Sequence, residues 1–193
     1  MQTRRLANVI AYMTAIVVAT ASCNSEPEVE LNPNLQAELV DLQAADQAER
    51  TGEVGGDGDS ARTRRLAEII DEHGWPTQSL VGKDGATAAW VIAQHSDQDV
   101  EFQERALELM RGAVEDGEAD PTELAYLEDR VATNHGEPQI YGTQISCVDG
   151  EAVPGPIADE EIVDELRAEA GLEPLADYLA ELGEICAQEL EDQ

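Results

Sequence analysis

From residue 35 onward, apolar side chains recur at three- and four-residue intervals, the spacing that lines one face of an α-helix. Leu35, Leu39 and Leu42 predict a first helix to about Arg50, with Asp46, Gln47 and Arg50 on its later turns. Leu66, Ile69 and Ile70 predict a second over 62–73, ended by Gly74, the residue helices commonly stop at. Trp75-Pro76 turns the chain, 79–82 reads as a short extended piece, and Asp84 reads as the cap of a helix from Ala86 to about His95. That helix is apolar on all sides, which marks it as the most buried of the set. Asp97 or Asp99 caps the next, whose Phe102, Ala106, Leu109, Met110 and Ala113 face inward. Asp120-Pro121-Thr122-Glu123 is a helix start with a capping aspartate and a proline at the first position, and Gly136 and Pro138 mark the stop.

At residue 139 the period changes to two. A strand is expected over 139–146, Asp149-Gly150 is a good hairpin turn, and 151–153 pairs back before Pro154 and Pro156 end it. Asp159 opens a helix through Arg167 to Ala170. Pro174 starts the last one, with Leu175, Tyr178, Leu179, Leu182, Ile185 and Cys186 as a continuous stripe and Glu181, Glu184 and Glu189 outside. The pattern predicts a mainly α chain: a single compact helical domain over 35–193 with one small β-hairpin near 139–153. The 193 residues suffice for one such core and fall short of two.

Charge narrows the partners. Forty-two acidic side chains face eleven basic ones, a formal net charge of −31, and Lys83 is the only lysine. Such a surface repels nucleic-acid phosphates and anionic lipid headgroups. It suits a salty medium, where self-repulsion is screened, and equally a plain solvated exterior.

The N-terminus reads as a targeting segment. Arg4 and Arg5 precede the apolar run 6–19, followed by Thr20-Ala21-Ser22-Cys23. A charged start, a short apolar run and small residues form a secretory signal too short to span a membrane. The small residues before Cys23 resemble the bacterial lipobox, so residues 1–22 are expected to be removed and Cys23 lipidated. Residues 23–34, polar and marked by Pro27 and Pro33, then form a tether. The lipid is the expected membrane contact. Export would place Cys147 and Cys186 in an oxidising compartment, where they either pair or stay buried and unpaired.

The chemistry-bearing groups sit where the pattern changes. Gln94 and His95 emerge at the end of the most buried helix. His95 is either a core histidine held by its neighbours or a catalytic base, with Asp97, Asp99 and His135 as possible companions. Asp129-Arg130 flanks a buried stripe; the pair either locks helices by an ion pair with Arg167 or Asp46, or offers Arg130 to an anionic ligand group. On the expected strand, Gln139, Tyr141 and Thr143 share a face, Gln144 follows, and Gly142 admits a close backbone or ligand. No metal-type spacing, phosphate-binding loop or nucleophile elbow is present, and no cofactor is expected.

In combination these strings resemble a bacterial family, the domains of unknown function numbered 6624. The likeness runs through Asp46-Gln47 and Arg50, Gly74-Trp75-Pro76, Leu80-Val81-Gly82, Gln94-His95, Phe102-Gln103, Asp129-Arg130 and Pro138-Gln139-Ile140-Tyr141-Gly142-Thr143-Gln144. Pro156-Ile157, Arg167, Gly171-Leu172 and Tyr178 continue it, so that it covers roughly 35–182. Arg62 and Val100 depart from it, standing where an asparagine and a proline are expected. The resemblance implies a mostly helical single domain and brings no assigned activity. Three functional readings follow. The first is a tethered binding module with a polar pocket around His95, Arg130, Tyr141 and Gln144, taking a small molecule, an envelope polymer or a protein. The second is a hydrolase-like enzyme with His95 as base and Arg130 and Tyr141 stabilising negative charge. The third is a structural protein with a buried polar network.

Overall fold

A computed structural model describes residues 30–191 apart from 53–57. The expected signal segment, the lipidation site Cys23 and most of the tether lie outside the described residues. Seven helices and one hairpin follow in order: α1 (Pro33–Arg50), α2 (Asp59–His73), α3 (Gln78–Gln94), α4 (Val100–Glu115), α5 (Pro121–Asn134), β1 (Ile145–Val148), β2 (Glu151–Pro154), α6 (Val163–Glu169) and α7 (Leu175–Glu191). The mainly α expectation holds. None of the described helices is long and apolar enough to cross a membrane.

The starts of the helices follow the caps in the sequence. Asn32 Oδ1 accepts from Leu35 N at 3.1 Å, Asp99 Oδ1 from Phe102 N at 3.1 Å and Asp120 Oδ1 from Thr122 N at 2.9 Å. Asn32 and Pro33, read as tether, thus belong to α1. α3 is the central element, with Val81, Ala86, Ala88, Ala89, Ile92 and Ala93 all buried.

Its packing sets the register that matters for function. Asn32 N donates to Leu80 O at one end of α1, and Asp46 meets His95 at 2.8 Å at the other, so α1 and α3 run parallel. Thr87 Oγ1 bonds Glu123 Oε1 at 2.6 Å, and Trp90 stacks edge-on against Tyr126 with ring centroids 6.1 Å apart, so α5 is parallel to α3 as well. The C-terminal ends of α1, α3 and α5 therefore meet at one end of the molecule. α2 and α4 start there.

Four expectations are corrected. The stretch 79–82 is not extended: α3 begins at Gln78, and Gly82 (φ 67°, ψ 170°) kinks it. Thr77 O takes the N–H of both Leu80 and Val81, so the turn is already wound, and Asp84 lies inside the helix instead of capping it. Second, the stretch 139–144 is not a strand. Only Ile145–Val148 pairs with Glu151–Pro154, across the Asp149-Gly150 turn (φ 52° and 82°), while Gln139 makes a lone parallel bridge to Ile157. Third, Asp159 caps a single turn through Glu161 N, and α6 starts only at Val163. Fourth, the α7 stripe is shallow. Cys186 alone is buried and Ile185 is 51 % exposed, because α7 lies on the thin hairpin and not on the helical core. Cys147 and Cys186 form a disulfide with Cα atoms 5.3 Å apart, tying β1 to α7.

Candidate functional site

The polar residues at the converging helix ends fall into two groups. The first centres on Asp129, whose side chain is fully buried. Its carboxylate accepts from Ile140 N (2.6 Å), Tyr141 N (3.0 Å), Thr143 N (2.8 Å) and Thr143 Oγ1 (2.9 Å). This is why 139–144 cannot be a strand: its amides turn toward one carboxylate instead of a neighbouring strand. Gly142, at φ 71°, lets the loop close; a Cβ there would stand 2.8 Å from Ile157 Cδ1 and 3.1 Å from Leu175 Cδ1. Gln139 is fully buried, with Nε2 donating to Gln144 O (2.9 Å) and Oε1 accepting from Gln144 N (2.6 Å).

Arg167 closes this group from the far side. It too is fully buried, and it donates to Tyr141 O at 2.8 Å and Glu173 O at 2.6 Å while lying 5.0 Å over the Tyr178 ring. No carboxylate among the described residues pairs with it. Asp129 and Arg167 thus hold Tyr141 through its N–H and its C=O, which belong to successive peptide groups, in place of the direct ion pair that was one of the expectations. Each buried charge is met by hydrogen bonds to the same loop, which offsets the cost of its burial. The Tyr141 hydroxyl turns away, donating to Glu128 Oε2 at 3.0 Å beside Arg111. Burial, and then the Glu128 charge, push it up to about 12. It does not join His95.

The second group surrounds His95. Its Nδ1 lies 2.8 Å from Asp46 Oδ2; the Asp46 side chain is 1 % exposed and the imidazole 22 %. Arg50 Nε is 3.2 Å from both Asp46 oxygens and 3.0 Å from the same Nδ1. A carboxylate only accepts, so Nδ1 carries the proton, the Arg50 proton goes to the carboxylate, and Nε2 is left with its lone pair. Arg62 completes the surroundings through Glu49 (2.7 Å) and Asp59 (2.6 Å). On the other flank Arg130 grips Asp97 in a fork, Nε to Oδ1 at 2.8 Å and Nη2 to Oδ2 at 2.6 Å, and gives Nη1 to Gln144 Oε1 at 3.0 Å. Gln103, fully buried, donates to the Ala93 carbonyl at 3.1 Å and accepts from Asn134 at 2.7 Å, joining the ends of α3 and α5. The C-terminal dipole ends of α1 and α5 favour Arg50 and Arg130, each near the end of its own helix.

Burial lowers the His95 pKa from 6.5; Asp46 opposes this and Arg50 adds to it. Burial raises Asp97, but Arg130 and Asn134 outweigh it and hold it below 3.8. At neutral pH the imidazole is therefore an unprotonated base, oriented by a buried carboxylate and flanked by guanidinium groups that keep spare N–H donors.

A family model matches residues 33–189. The chain belongs to the DUF6624 family, a family of unknown function. Neither the curated proteins nor the solved structures contain a match.

Of the residues expected from the DUF6624 sequence, the structure gathers His95, Arg130 and Gln144 at one site, with Gln94 beneath. Gln94 is buried, and its Oε1 has no partner among the described residues. Asp129, Gln139, Tyr141, Thr143 and Arg167 belong to the brace behind it. His135 pairs with Glu104 and Asp99 caps α4, so neither accompanies His95. Arg50, Gln103 and Asn134 were missing from the expected site, where Asp97 figured as a companion of His95 and Asp46 as a partner of the Asp129-Arg130 pair and not of the imidazole. A polar residue on an apolar stripe was the available signal: Asp46 continues Leu35-Leu39-Leu42, and Gln103 shares a face with Leu107 and Met110.

Proposed function

We propose that the chain is a tethered extracytoplasmic enzyme of hydrolase type whose general base is His95. The observation that carries this reading is the half-buried imidazole held through Nδ1 by the buried Asp46, with no partner on Nε2 among the described residues. That arrangement holds the base in one tautomer and stabilises the imidazolium formed once it has taken a proton. In the reaction, Nε2 removes a proton from water, the oxygen attacks an electrophilic acyl or phosphoryl centre, and the imidazolium returns the proton to the leaving group. Spare N–H groups of Arg130 and Arg50 donate to the oxygen on which negative charge develops. The lysine-poor acidic surface, the signal-like N-terminus ending at Cys23 and the Cys147–Cys186 disulfide support a setting outside the cytoplasm. A small molecule or an envelope polymer is the substrate.

A binding module without turnover is the second reading. It is favoured by the Asp97 fork, which commits Nε and one Nη2 proton of Arg130 and so leaves fewer donors for developing charge. The test is a panel of chromogenic esters, amides and phosphoesters offered to the wild type, His95→Ala and Asp46→Asn. The enzyme reading expects turnover that His95→Ala abolishes and Asp46→Asn lowers by about 100-fold or more, as for a general base that loses its role or its tautomer. Turnover that survives His95→Ala contradicts it.

A further inference from the structure

The C-terminal quarter of the chain has a surface unlike the rest. A groove of about 410 Å³ opens between β2, α6 and α7, lined by Ile157, Val163, Leu175 and Leu179, with Glu160 and Asp164 among its walls. Ile162 beside it is 40 % exposed. From Ile140 to the C-terminus there are fifteen acidic residues and a single basic one, Arg167, which is fully buried. This face therefore combines apolar side chains with carboxylates and presents no cation among its described residues.

Solubility accounts for the carboxylates. It does not account for the half-buried Ile157, Leu175 and Leu179 along an open groove beside exposed Ile162, since apolar side chains reachable in a groove mark an interaction site. The charge selects the occupant. A second copy brings the same strongly negative surface, and an anionic bilayer repels it likewise. We propose that this groove docks a cationic amphipathic helix of another protein, its apolar side chains seated between Leu175 and Leu179 and its lysines or arginines turned to Glu160 and Asp164. Helix-in-groove recognition has this form, with apolar anchors at helical spacing and charges at the rim. The proposal stands apart from the His95 reading, since none of the residues lining the groove is among those around His95 and Arg130.

The probe is a synthetic leucine–lysine peptide with one apolar helical face, compared with a scrambled peptide of the same composition. Fluorescence anisotropy with the full chain is read at about 0.15 M salt, where distant charges are screened. The amphipathic peptide is expected to bind at least about tenfold more tightly than the scrambled one, and that advantage to vanish in Leu179→Ser. Ala176→Lys, at an exposed position lining the groove, is expected to remove it with the core untouched. Equal binding of both peptides, or no binding of either, overturns the proposal. So does an unchanged advantage in Ala176→Lys. Groove-dependent dimerisation in sedimentation, or groove-dependent binding to neutral phosphatidylcholine vesicles, overturns it in favour of another occupant.

Discussion

Replacing Asp129 with alanine removes the acceptor of three backbone N–H groups and one hydroxyl at once. The residue is fully buried and Thr143 is 4 % exposed, so water cannot reach the two Thr143 donors without opening the loop. Each donor left unsatisfied in such surroundings costs about 1–3 kcal/mol, and partial opening of 139–144 recovers some of it, leaving about 4 kcal/mol. Domains of this size are stable by roughly 5–15 kcal/mol, so the loss is a large fraction of the whole. Asp129→Asn keeps one acceptor oxygen but turns an amide donor toward other donors, and about 2–3 kcal/mol is expected. The assay is urea unfolding followed by circular dichroism, with hydrogen exchange at Tyr141 and Thr143 as the local readout. A loss below about 1 kcal/mol for Asp129→Ala, a value typical of surface substitutions and mild core ones, would refute the claim that this carboxylate organises the loop.

Gly142→Ala places a Cβ at positive φ and 2.8 Å from Ile157, and is expected to cost about 1–3 kcal/mol in the same urea assay. Reducing the disulfide, which links positions 39 residues apart, is expected to lower stability by about 2–4 kcal/mol, read as a drop in Tm with reductant that Cys147→Ser reproduces. The folded pKa of His95 is lowered, so the unfolded chain binds its proton first. Its contribution is present above 6.5 and is lost as pH falls through the lower folded value. Wild type should therefore lose stability relative to His95→Gln as pH is taken below 6.5, and parallel pH profiles would contradict this. Arg130→Gln should leave folding nearly unchanged, since its partner Asp97 is exposed, while removing turnover in the substrate panel.

The helices were legible because their signals are local. Asp120-Pro121, Asp99 and Gly74 act within one turn, and the Leu66-Ile69-Ile70 spacing needs only its own helix. The loop 139–144 was not legible in that way. Its alternation of Gln139, Tyr141 and Thr143 mimics a strand, but the acceptor that bends it, Asp129, comes from another element, and no window on the chain contains both roles. The same holds for the site. His95 stood out at the end of an apolar helix, whereas Asp46 became its partner only through the parallel packing of α1 on α3. Tyr141 misled for a related reason: its neighbour in sequence, Gly142, marked a close approach, but the approach is to Ile157 and Leu175 and not to a ligand. The shallow burial of α7 could not be read from a stripe that is continuous, because the stripe says which face turns inward and not how thick the layer beneath it is.

The most direct measurement is nitrogen-15 NMR of the imidazoles across a pH titration, with only three histidines to assign. The account predicts that His95 holds its proton on Nδ1, leaves Nε2 bare and titrates below 6.5, and that Asp46→Asn lowers its pKa further by removing the carboxylate that favours the charged form. A His95 that carries its proton on Nε2 at neutral pH, with Nδ1 bare toward Asp46, contradicts the general-base site at its root.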